Sequence, residues 1–300
     1  MLEVTAHAKI NLTLEVLGRR DDGYHQVRTI LQTIDLTDRL EIEPSSGLQV
    51  ECDQPEINGE ANLVWTAATA LATHCGIVPH ARIAVKKGIP MSMGLGGGSS
   101  DAAAALIALN VMWQLGLSSG DLAEIAAGIG SDVPFFLTGG TALAEGRGEL
   151  ITPLPSLPPI PVILICPKVT LPQKTAAMYS SLNPAHYSDG GVTSRLVQIL
   201  TGVGFVIESM GSLTYNIFEQ VVHEALPELN GLWDRLRGLF QNPLRLAGSG
   251  PAMYCLPSNE HEFRSASNAL QPYGVGVYLV TTTGPNPAWG PQDEAERGLA

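Results

Sequence analysis

Residues 90–103, Pro90-Met91-Ser92-Met93-Gly94-Leu95-Gly96-Gly97-Gly98-Ser99-Ser100-Asp101-Ala102-Ala103, decide how the chain is interpreted. An apolar stretch, Ile83 to Val85, precedes this segment, and an alanine-rich run without proline follows it. The predicted order is therefore strand, glycine-rich loop and helix. Glycines let the backbone approach a polyphosphate, and the N–H groups and positive dipole end of the helix favour negative charge. The segment predicts an anion-binding loop, in which Ser99 and Ser100 add hydroxyl contacts to phosphate or magnesium.

Other kinds of segment share this composition. A flexible Gly/Ser linker stays open, although linkers seldom lead directly into a long helix. A Walker-type phosphate loop needs a lysine after its glycines, and Ser99, Ser100 and Asp101 stand there instead. A dinucleotide-binding GxGxxG needs glycine where Ser99 stands, so an oxidoreductase interpretation depends on a degenerate motif.

Composition indicates a globular chain. Its 300 residues, 45% hydrophobic and 15% charged, can bury a large core and fit two domains better than one. The net charge of -12 argues against nucleic acid or an anionic membrane as the main partner, because both attract broad basic surfaces. Any anionic ligand must therefore be held locally.

The cysteines and the N-terminus bear on the compartment. The four cysteines lie far apart without CxxC spacing, which predicts reduced thiols and neither a zinc site nor a redox pair: Cys52, Cys75, Cys166 and Cys255. Polar residues occupy the N-terminus where a signal peptide would be apolar, and no stretch approaches the roughly 20 apolar residues of a membrane span. We therefore expect a cytoplasmic protein.

Periodicity predicts a mixed first half. Alternating apolar and polar residues predict half-buried antiparallel strands at 40–43, 48–51 and 82–85. Helices are predicted at 62–75, 100–115 and 121–129. In the second half, strands are predicted at 162–166 and 275–281.

A proline-rich stretch between Ile151 and Pro161 predicts a linker, because prolines at this density interrupt both helices and central strands. The chain is therefore expected to form domains at 1–155 and 156–283. Residues 284–300, rich in proline, glycine and acidic residues, are predicted to be a disordered tail.

The glycine-rich segment, read with Ala8-Lys9-Ile10-Asn11-Leu12 and Ala247-Gly248-Ser249-Gly250-Pro251, resembles the three motifs of the GHMP kinase superfamily. It is more narrowly similar to the branch that acts on a cytidine diphosphate derivative of methylerythritol. That similarity rests on the loop itself, on residues 18–25 (GRRDDGYH) and on residues 130–136 (GSDVPFF). The motifs keep their order and spacing over nearly the whole chain, without the tail.

The resemblance implies an α+β protein with the two-domain GHMP kinase fold. The N-terminal ATP-binding and catalytic domain would be of the ribosomal protein S5 domain 2 type, and the C-terminal GHMP kinase domain ferredoxin-like. The implied reaction transfers a phosphoryl group from ATP, with Mg²⁺, to the 2-hydroxyl of the cytidine diphosphate methylerythritol, in the non-mevalonate route to isoprenoid precursors. A monomer or weak homodimer is expected. The magnesium ligands do not follow from the sequence.

Lys9 and Asp132 are the candidate reacting groups. Phosphoryl transfer to an alcohol needs cationic stabilisation and often a carboxylate that accepts the hydroxyl proton. Residue type alone favours ordinary roles, a helix-capping aspartate for Asp132 and a solvated strand lysine for Lys9. The resemblance implies that Asp132 is the base and that Lys9 holds the hydroxyl and phosphoryl oxygens.

The resemblance also implies the ATP contacts. Asn62 and Lys87 match positions near the adenine, and the glycine-rich segment supplies the phosphate contacts: Pro90, Met91, Ser92, Met93, Gly94, Leu95, Gly96, Gly97, Gly98, Ser99 and Ser100. Two positions depart from the usual pattern. Met93 stands where a small residue is customary, and Ile217 replaces a customary aspartate.

A cytosine base calls for an aromatic ring to stack on and polar groups to read its edge. By resemblance, His25 reads the cytosine, Tyr24 packs on one side of the nucleoside, and Tyr179, four positions after Thr175, completes the stack. The alternatives are a turn at residues 21–23 that Tyr24 merely covers and a helix-core role for Tyr179.

Further substrate contacts are expected from Asn11, which would orient the erythritol or its phosphate. The second glycine loop, Gly248, Ser249 and Gly250, would press the second domain's backbone against the site, although an ordinary hairpin turn is an alternative.

Two other functions stay open. The first is another superfamily kinase, acting on homoserine, mevalonate or a sugar, and residues 23–25 argue against it. The second is a nucleotide-binding relative without catalysis, against which intact Lys9 and Asp132 argue.

Overall fold

The computed structural model describes residues 1–169, 173–202, 210–236 and 238–285, and the strands in these ranges form two sheets. The strands are β1 (Leu2–Arg19), β2 (His25–Glu43), β3 (Leu48–Cys52), β4 (Ala81–Lys86), β5 (Thr141–Gly146), β6 (Leu150–Pro153), β7 (Pro161–Cys166), β8 (Tyr215–Asn216), β9 (Arg245–Leu246), β10 (Met253–Cys255) and β11 (Gly276–Thr281). The larger sheet runs β3-β4-β2-β1-β8, with β5 paired to β2 and β6 to β5. The smaller runs β11-β7-β10-β9.

Helices cover these sheets. They are α1 (Leu63–Cys75), α2 (Gly97–Met112), α3 (Ser119–Ile129), α4 (Val133–Thr138), α5 (Lys174–Ser180), α6 (Gly191–Thr201), α7 (Met210–Leu213), α8 (Val222–Ala225), α9 (Asn230–Leu236) and α10 (Glu260–Leu270). Short 3-10 turns lie at Pro55–Ile57, Gly59–Ala61, Ile217–Gln220, Pro227–Leu229 and Gln271–Tyr273. Among the described residues, no helix has both the length and the apolar character that crossing a membrane requires.

The helix boundaries follow from their caps. Asn62 caps α1, because its Oδ1 accepts from the Val64 N–H at 3.0 Å. A reciprocal pair between Ser118 and Asp121 starts α3 at Ser119. Helix α2 begins at Gly97, three residues before the predicted start, because Gly97, Gly98 and Ser99 form its first turn.

The predicted strands are present, but one pairing was wrong. Strand β4 pairs antiparallel with β2, as expected, whereas β3 pairs parallel with β4. The reason is that α1 lies between β3 and β4, and a crossover helix returns the chain in the same direction. The β1–β2 hairpin dominates this sheet, and its tip carries Tyr24.

The two sheets share a core. Ile10 and Leu12 of β1 belong to one buried cluster with Val162 and Leu164 of β7. Tyr254 of β10 donates its hydroxyl to the Asn11 carbonyl at 2.7 Å. The second half of the chain also extends the first sheet, because β8 pairs parallel with β1.

The change of sheet coincides with the predicted linker, since β6 ends at Pro153 and β7 begins at Pro161. The domain boundaries at 155/156 and 283/284 stay predictions. Of the predicted tail, Gly284 and Pro285 are described, and Pro285 bridges to Gly139. Residues 286–300 lie outside the described residues. The four cysteines are free thiols, as expected.

The end of β11 returns to the first domain as a strap of three threonines, Thr281–Thr283. The Thr281 N–H donates to Asp35 Oδ1 at 2.7 Å, and the Thr283 N–H to the Thr33 carbonyl at 2.9 Å. The Thr282 N–H donates to the Ile160 carbonyl in the linker at 3.0 Å. This strap joins the last strand, the linker and β2.

A buried ion triad fixes both ends of the glycine-rich loop. The Lys87 ammonium lies between the carboxylates of Asp38 on β2 and Asp101 on α2, the latter at 2.6 Å, and all three side chains are at most 5% exposed. Asp38 Oδ1 also accepts from the N–H groups of Gly88 and Ile89 at 2.7 and 2.8 Å. The triad therefore ties β2, the start of the loop and helix α2 together.

Two carboxylates share this one ammonium. Burial alone would lower the pKa of Lys87, but the charges of Asp101 and Asp38 outweigh it and raise that pKa. Burial first, and then the charge of Asp38, raise the pKa of Asp101 to about 7 against the opposing effect of Lys87. Lys87 is thus firmly charged, while ionisation of Asp101 is unfavourable in the folded protein.

Replacing Lys87 tests the triad. Lys87→Met leaves two buried carboxylates without a cation, so we expect the free energy of unfolding, measured with urea, to fall by about 3–5 kcal/mol.

The control, Asp101→Asn, leaves one lysine with one carboxylate. Because the folded-state pKa of Asp101 is raised, its ionisation costs wild-type stability as pH rises. The Asp101→Asn variant should therefore gain stability relative to wild type as the pH rises from about 4, the unfolded pKa, to about 7, the folded pKa. A Lys87→Met change within about 1 kcal/mol of wild type would contradict this account.

Candidate active site

The two glycine loops touch each other. At Gly94, where φ is +81°, a Cβ atom would overlap the Ala247 carbonyl oxygen and lie 3.0 Å from that of Gly250. A Cβ at Gly248 would lie 3.1 Å from both the Gly94 carbonyl oxygen and Lys9 Nζ. The second loop is held by the buried Asn216 of β8, which donates to the Gly248 carbonyl at 2.8 Å. The absence of side chains at these glycines permits this contact between the two halves of the chain.

Lys9 and Asp132 lie beside this contact. Lys9 Nζ is 3.6 Å from Asp132 Oδ2, although the residues are far apart in sequence. The Lys9 side chain is 4% exposed and that of Asp132 38%. Lys9 comes from the middle of β1, and Asp132 from the residue before α4. The structure thus gives a buried ammonium beside a carboxylate that a ligand can reach.

A polar chain orients Lys9. Its Nζ donates to Asn11 Oδ1 at 2.8 Å, and Asn11 Nδ2 donates to Thr29 Oγ1 at 2.9 Å. The Thr29 hydroxyl donates to the Thr13 carbonyl at 2.5 Å. The Lys9 N–H donates to the Leu95 carbonyl at 2.9 Å, which links β1 to the glycine-rich loop. Both the backbone and the side chain of Lys9 are therefore fixed.

A cleft of 1080 Å³ opens in front of this pair. The described residues that line it carry four cationic side chains, Lys9, Arg19, Arg147 and Lys174, against one carboxylate, Asp132. A chain with a net charge of -12 therefore has a positively charged cleft. Such a cleft favours an anionic ligand.

Aromatic side chains line the cleft near the β1–β2 turn. The rings of His25 and Tyr179 stack with centroids 4.9 Å apart, and Tyr187 meets His25 edge-on at 6.1 Å. Phe218 packs edge-on against Tyr179. Burial, and secondly the charge of Arg19, lower the pKa of His25, so its imidazole is neutral at pH 7. Tyr24 is 55% exposed, and the Arg147 guanidinium lies 4.9 Å above its ring.

Helix α5 carries polar groups to the second glycine loop. Thr175 Oγ1 lies 2.9 Å from Ser249 Oγ. The Lys174 ammonium donates to Ser249 Oγ at 3.2 Å and to the Gly250 carbonyl. Burial, and secondly the positive charge of Lys9, lower the pKa of Lys174 to about 8, while Asp132 opposes this shift.

The structure brings most of the predicted groups to one place. The predicted residues that line the cleft are Lys9, Asn11, Tyr24, His25, Gly94, Gly96, Ser99, Asp132, Thr175, Tyr179, Gly248 and Ser249. Gly250 lies directly behind, bonded to Lys174. The remaining ATP-side positions do not line the cleft within the described chain: Asn62, Lys87, Pro90, Met91, Ser92, Met93, Leu95, Gly97, Gly98 and Ser100.

Two of these ATP-side residues have definite surroundings. Asn62 Nδ2 is buried without a partner among the described residues. Lys87 lies in the ion triad, so its ammonium is already engaged by two carboxylates. Their proximity to adenine stays a prediction.

Comparison with known proteins decides the family. Residues 62–140 match the GHMP kinases N terminal domain. The 4-diphosphocytidyl-2-C-methyl-D-erythritol kinase of Dehalococcoides mccartyi is 40% identical over 288 residues, covering 95% of this chain and 99% of that protein. The chain belongs to the 4-diphosphocytidyl-2-C-methyl-D-erythritol kinase family. The Listeria welshimeri kinase of the same name is 37% identical over 93% of this chain and 95% of its own.

A solved structure agrees with this assignment. A crystal structure of 4-(cytidine 5'-diphospho)-2C-methyl-D-erythritol kinase is 33% identical, with a TM-score of 0.76, over 94% of this chain and 100% of that one. The two-domain GHMP kinase fold is therefore confirmed. Membership of this kinase family makes the chain a phosphotransferase with an alcohol group as acceptor.

The two residues that depart from the expected family pattern have definite surroundings. Met93 is half-buried against the shared core, and its carbonyl accepts from the Ala252 N–H at 3.3 Å. Ile217 is fully buried in an apolar cluster to which strands β1 and β2 and the second half of the chain contribute. Neither side chain lines the cleft in the described part of the chain.

Sequence reasoning missed several cleft residues. Arg147, Lys174, Tyr187 and Phe218 all line it, yet none stands in a motif whose local pattern indicates a ligand. Arg147 follows a glycine in a β5–β6 turn, and Lys174 opens a short helix. Only the fold places them there.

Gly94→Ala tests the contact between the loops. The added methyl would overlap Ala247 and require an unfavourable φ, so we expect a loss of more than about 2 kcal/mol of stability in urea unfolding. Kinase activity should fall as well, because the added methyl group would push the two glycine loops apart beside Lys9. The control is Gly128→Ala in α3, where nothing lies within 4 Å, and it should be neutral or stabilising by up to about 1 kcal/mol. Equal stability of the two variants would contradict the assigned contact.

Proposed function

We propose that the chain transfers the γ-phosphoryl group of ATP to the 2-hydroxyl of 4-diphosphocytidyl-2-C-methyl-D-erythritol, in the non-mevalonate route to isoprenoid precursors. The observation that carries this proposal is that one cationic cleft joins the Lys9–Asp132 pair, two glycine loops and an aromatic cluster. The relatives' names support the same substrate. The free thiols suit the cytoplasm, where we place the enzyme.

In the proposed reaction, Asp132 accepts the proton of the 2-hydroxyl as that oxygen attacks the γ-phosphorus. The bond from the γ-phosphorus to the bridging oxygen of ADP breaks, and ADP leaves with that electron pair. Lys9, held by Asn11, stabilises the charge on the hydroxyl and phosphoryl oxygens. The ion pair between Lys9 and Asp132 supports these roles, because it places a cation and a proton acceptor side by side in the cleft.

The ATP phosphates would bind at the start of α2. The first N–H groups of a helix lack intrahelical partners, and here they belong to Gly97, Gly98 and Ser99 beside the cleft. The unpartnered Nδ2 of Asn62 is a donor suited to a ring nitrogen of adenine. Lys87 would lie near the nucleotide, where its ion pairs with Asp38 and Asp101 fix the glycine-rich loop.

Mg²⁺ fits the donors that are present. Within the described residues, no group of three or more His, Cys, Asp or Glu side chains could hold a metal by itself. Mg²⁺ in nucleotide sites keeps several waters and binds few protein oxygens besides the substrate phosphates, and the Ser99 hydroxyl beside the cleft is such an oxygen. When bound, the ion would neutralise the β- and γ-phosphate oxygens.

At the other end of the cleft, the cytosine would bind among His25, Tyr24 and Tyr179. A neutral imidazole can both donate to and accept from the base edge. Stacking on Tyr179 supplies affinity, and the Arg147–Tyr24 pair covers the outer side. Thr175 and the second glycine loop lie between this cluster and the reacting pair.

The substrate assignment is tested by measuring ADP release from Mg-ATP with the diphosphocytidyl-methylerythritol substrate, mevalonate and homoserine in parallel. We expect turnover with the cytidine substrate alone. Asp132→Asn, which keeps the size of the side chain but removes the base, should lower kcat by about 10²–10⁴-fold. Turnover with another alcohol would reject the substrate, and full activity of Asp132→Asn would reject the base.

Tyr179→Leu tests the nucleoside end. Loss of one stacking ring should raise KM for the cytidine substrate by roughly 5- to 100-fold, with KM for ATP unchanged. The matched control is Tyr278→Leu on β11, where the ring is 36% exposed and does not line the cleft among the described residues. A rise in KM for ATP instead would reverse the assigned ends of the cleft.

A further inference from the structure

Lys174 is a cleft cation without a role in the reaction described above. The residue is only 9% exposed, and it lines the same cleft as Lys9 and Asp132. Its described partners, Ser249 Oγ and the Gly250 carbonyl, are both neutral. An ammonium group has three donors, so one remains after these two bonds.

The position of this ammonium is defined by the second glycine loop. Gly248 lies against Lys9, since a Cβ there would be 3.1 Å from Lys9 Nζ. Ser249, the next residue, bonds to Lys174. The two lysines therefore flank residues 248–249, with Lys9 on the first sheet and Lys174 on α5 of the second half.

A purely structural role explains only part of this arrangement. A side chain that merely fastens the loop to α5 needs a donor and no charge. Burying a charge beside another cation is unfavourable, and burial and Lys9 together lower the pKa of Lys174 to about 8. A phosphate would reverse this cost, because an anion favours the charged form.

We propose that Lys174 binds a phosphate oxygen of a nucleotide ligand, on the opposite side of residues 248–249 from Lys9. This inference rests on the proposed phosphoryl transfer and adds a cation to it. The phosphate belongs either to the cytidine diphosphate substrate or to ATP. Both offer the same oxygens, and binding to each is measured separately.

Three variants separate charge from hydrogen bonding. Lys174→Gln keeps a donor for the Gly250 carbonyl and removes the charge, whereas Lys174→Met removes both. Lys168→Met is the control, because Lys168 is exposed and does not line the cleft in the described residues. We expect kcat/KM to fall about 10- to 100-fold in both Lys174 variants, the size expected for one charge-assisted hydrogen bond. The control should stay within about twofold of wild type.

Melting temperatures complete this comparison. If Lys174 were only a fastener, Lys174→Gln would have wild-type kcat/KM while Lys174→Met melted at a lower temperature. That result overturns the proposal. A loss of kcat/KM in Lys174→Gln with an unchanged melting temperature supports it.

Proton uptake tests the contact without turnover. Near pH 8.5, Lys174 is partly neutral in the free protein, and a bound phosphate should restore its proton. The charged groups that face it are Lys9 on β1 and Asp132 before α4, and both remain in every variant. Calorimetric titration with CDP, and separately with Mg-ATP without acceptor, in buffers of different ionisation enthalpy measures this uptake.

The two probes give distinct outcomes. Uptake with CDP that disappears in Lys174→Gln assigns the contact to the substrate diphosphate, and uptake with Mg-ATP assigns it to the donor. Uptake with neither overturns the proposal. If the wild-type protein takes up a proton but does not turn over the cytidine substrate, the proposed substrate fails while the phosphate contact stands.

Discussion

The ion triad of Asp38, Lys87 and Asp101 is the constraint on which the site depends. It joins the second strand, the beginning of the glycine-rich loop and the helix that follows that loop. With both ends of the loop fixed, Gly94 meets Ala247, and the Leu95 carbonyl holds the backbone of Lys9. Buried ion pairs often add little net stability because desolvation offsets their attraction. The ion triad instead fixes the positions of the glycine-rich loop and of Lys9.

Charge is distributed unevenly, and this suits a small anionic ligand. The chain as a whole is acidic, whereas the described cleft residues carry four cations and one carboxylate. Exposed acidic residues repel large polyanions, while cations in a recessed site act at short range and are screened less by salt. A nucleotide that enters the cleft is therefore attracted by a positive electrostatic potential. A nucleic acid at the outer surface does not experience that potential.

The sequence predicted those features that are encoded by residues close together in the chain. The order strand, loop and helix around Gly94 was predicted because glycine spacing and helix composition are encoded within about 20 residues. Lys9 and Asp132 are 123 positions apart, and residue type alone favoured ordinary roles for both. Their pairing came from the resemblance and is now visible as a 3.6 Å contact.

Non-local features escaped prediction. Strand β3 has an alternating pattern that fits either direction of pairing, so its parallel pairing with β4 became apparent only in the fold. Arg147, Tyr187 and Phe218 reach the cleft because of where their turns and helices pack. Lys87 was expected near adenine by its place beside the loop, but the acidic partners that surround it come from residues 49 positions before and 14 positions after it.

The threonine strap has a consequence for biosynthesis. Thr33 is synthesised well before its partner Thr283, which lies 250 residues later. At a synthesis rate of about 5–20 residues per second, the first sheet waits on the order of 10–50 s for that partner. The first sheet is therefore made well before it is finished, and its contact with the threonine strap forms only after the strands and helices of the second half have been synthesised.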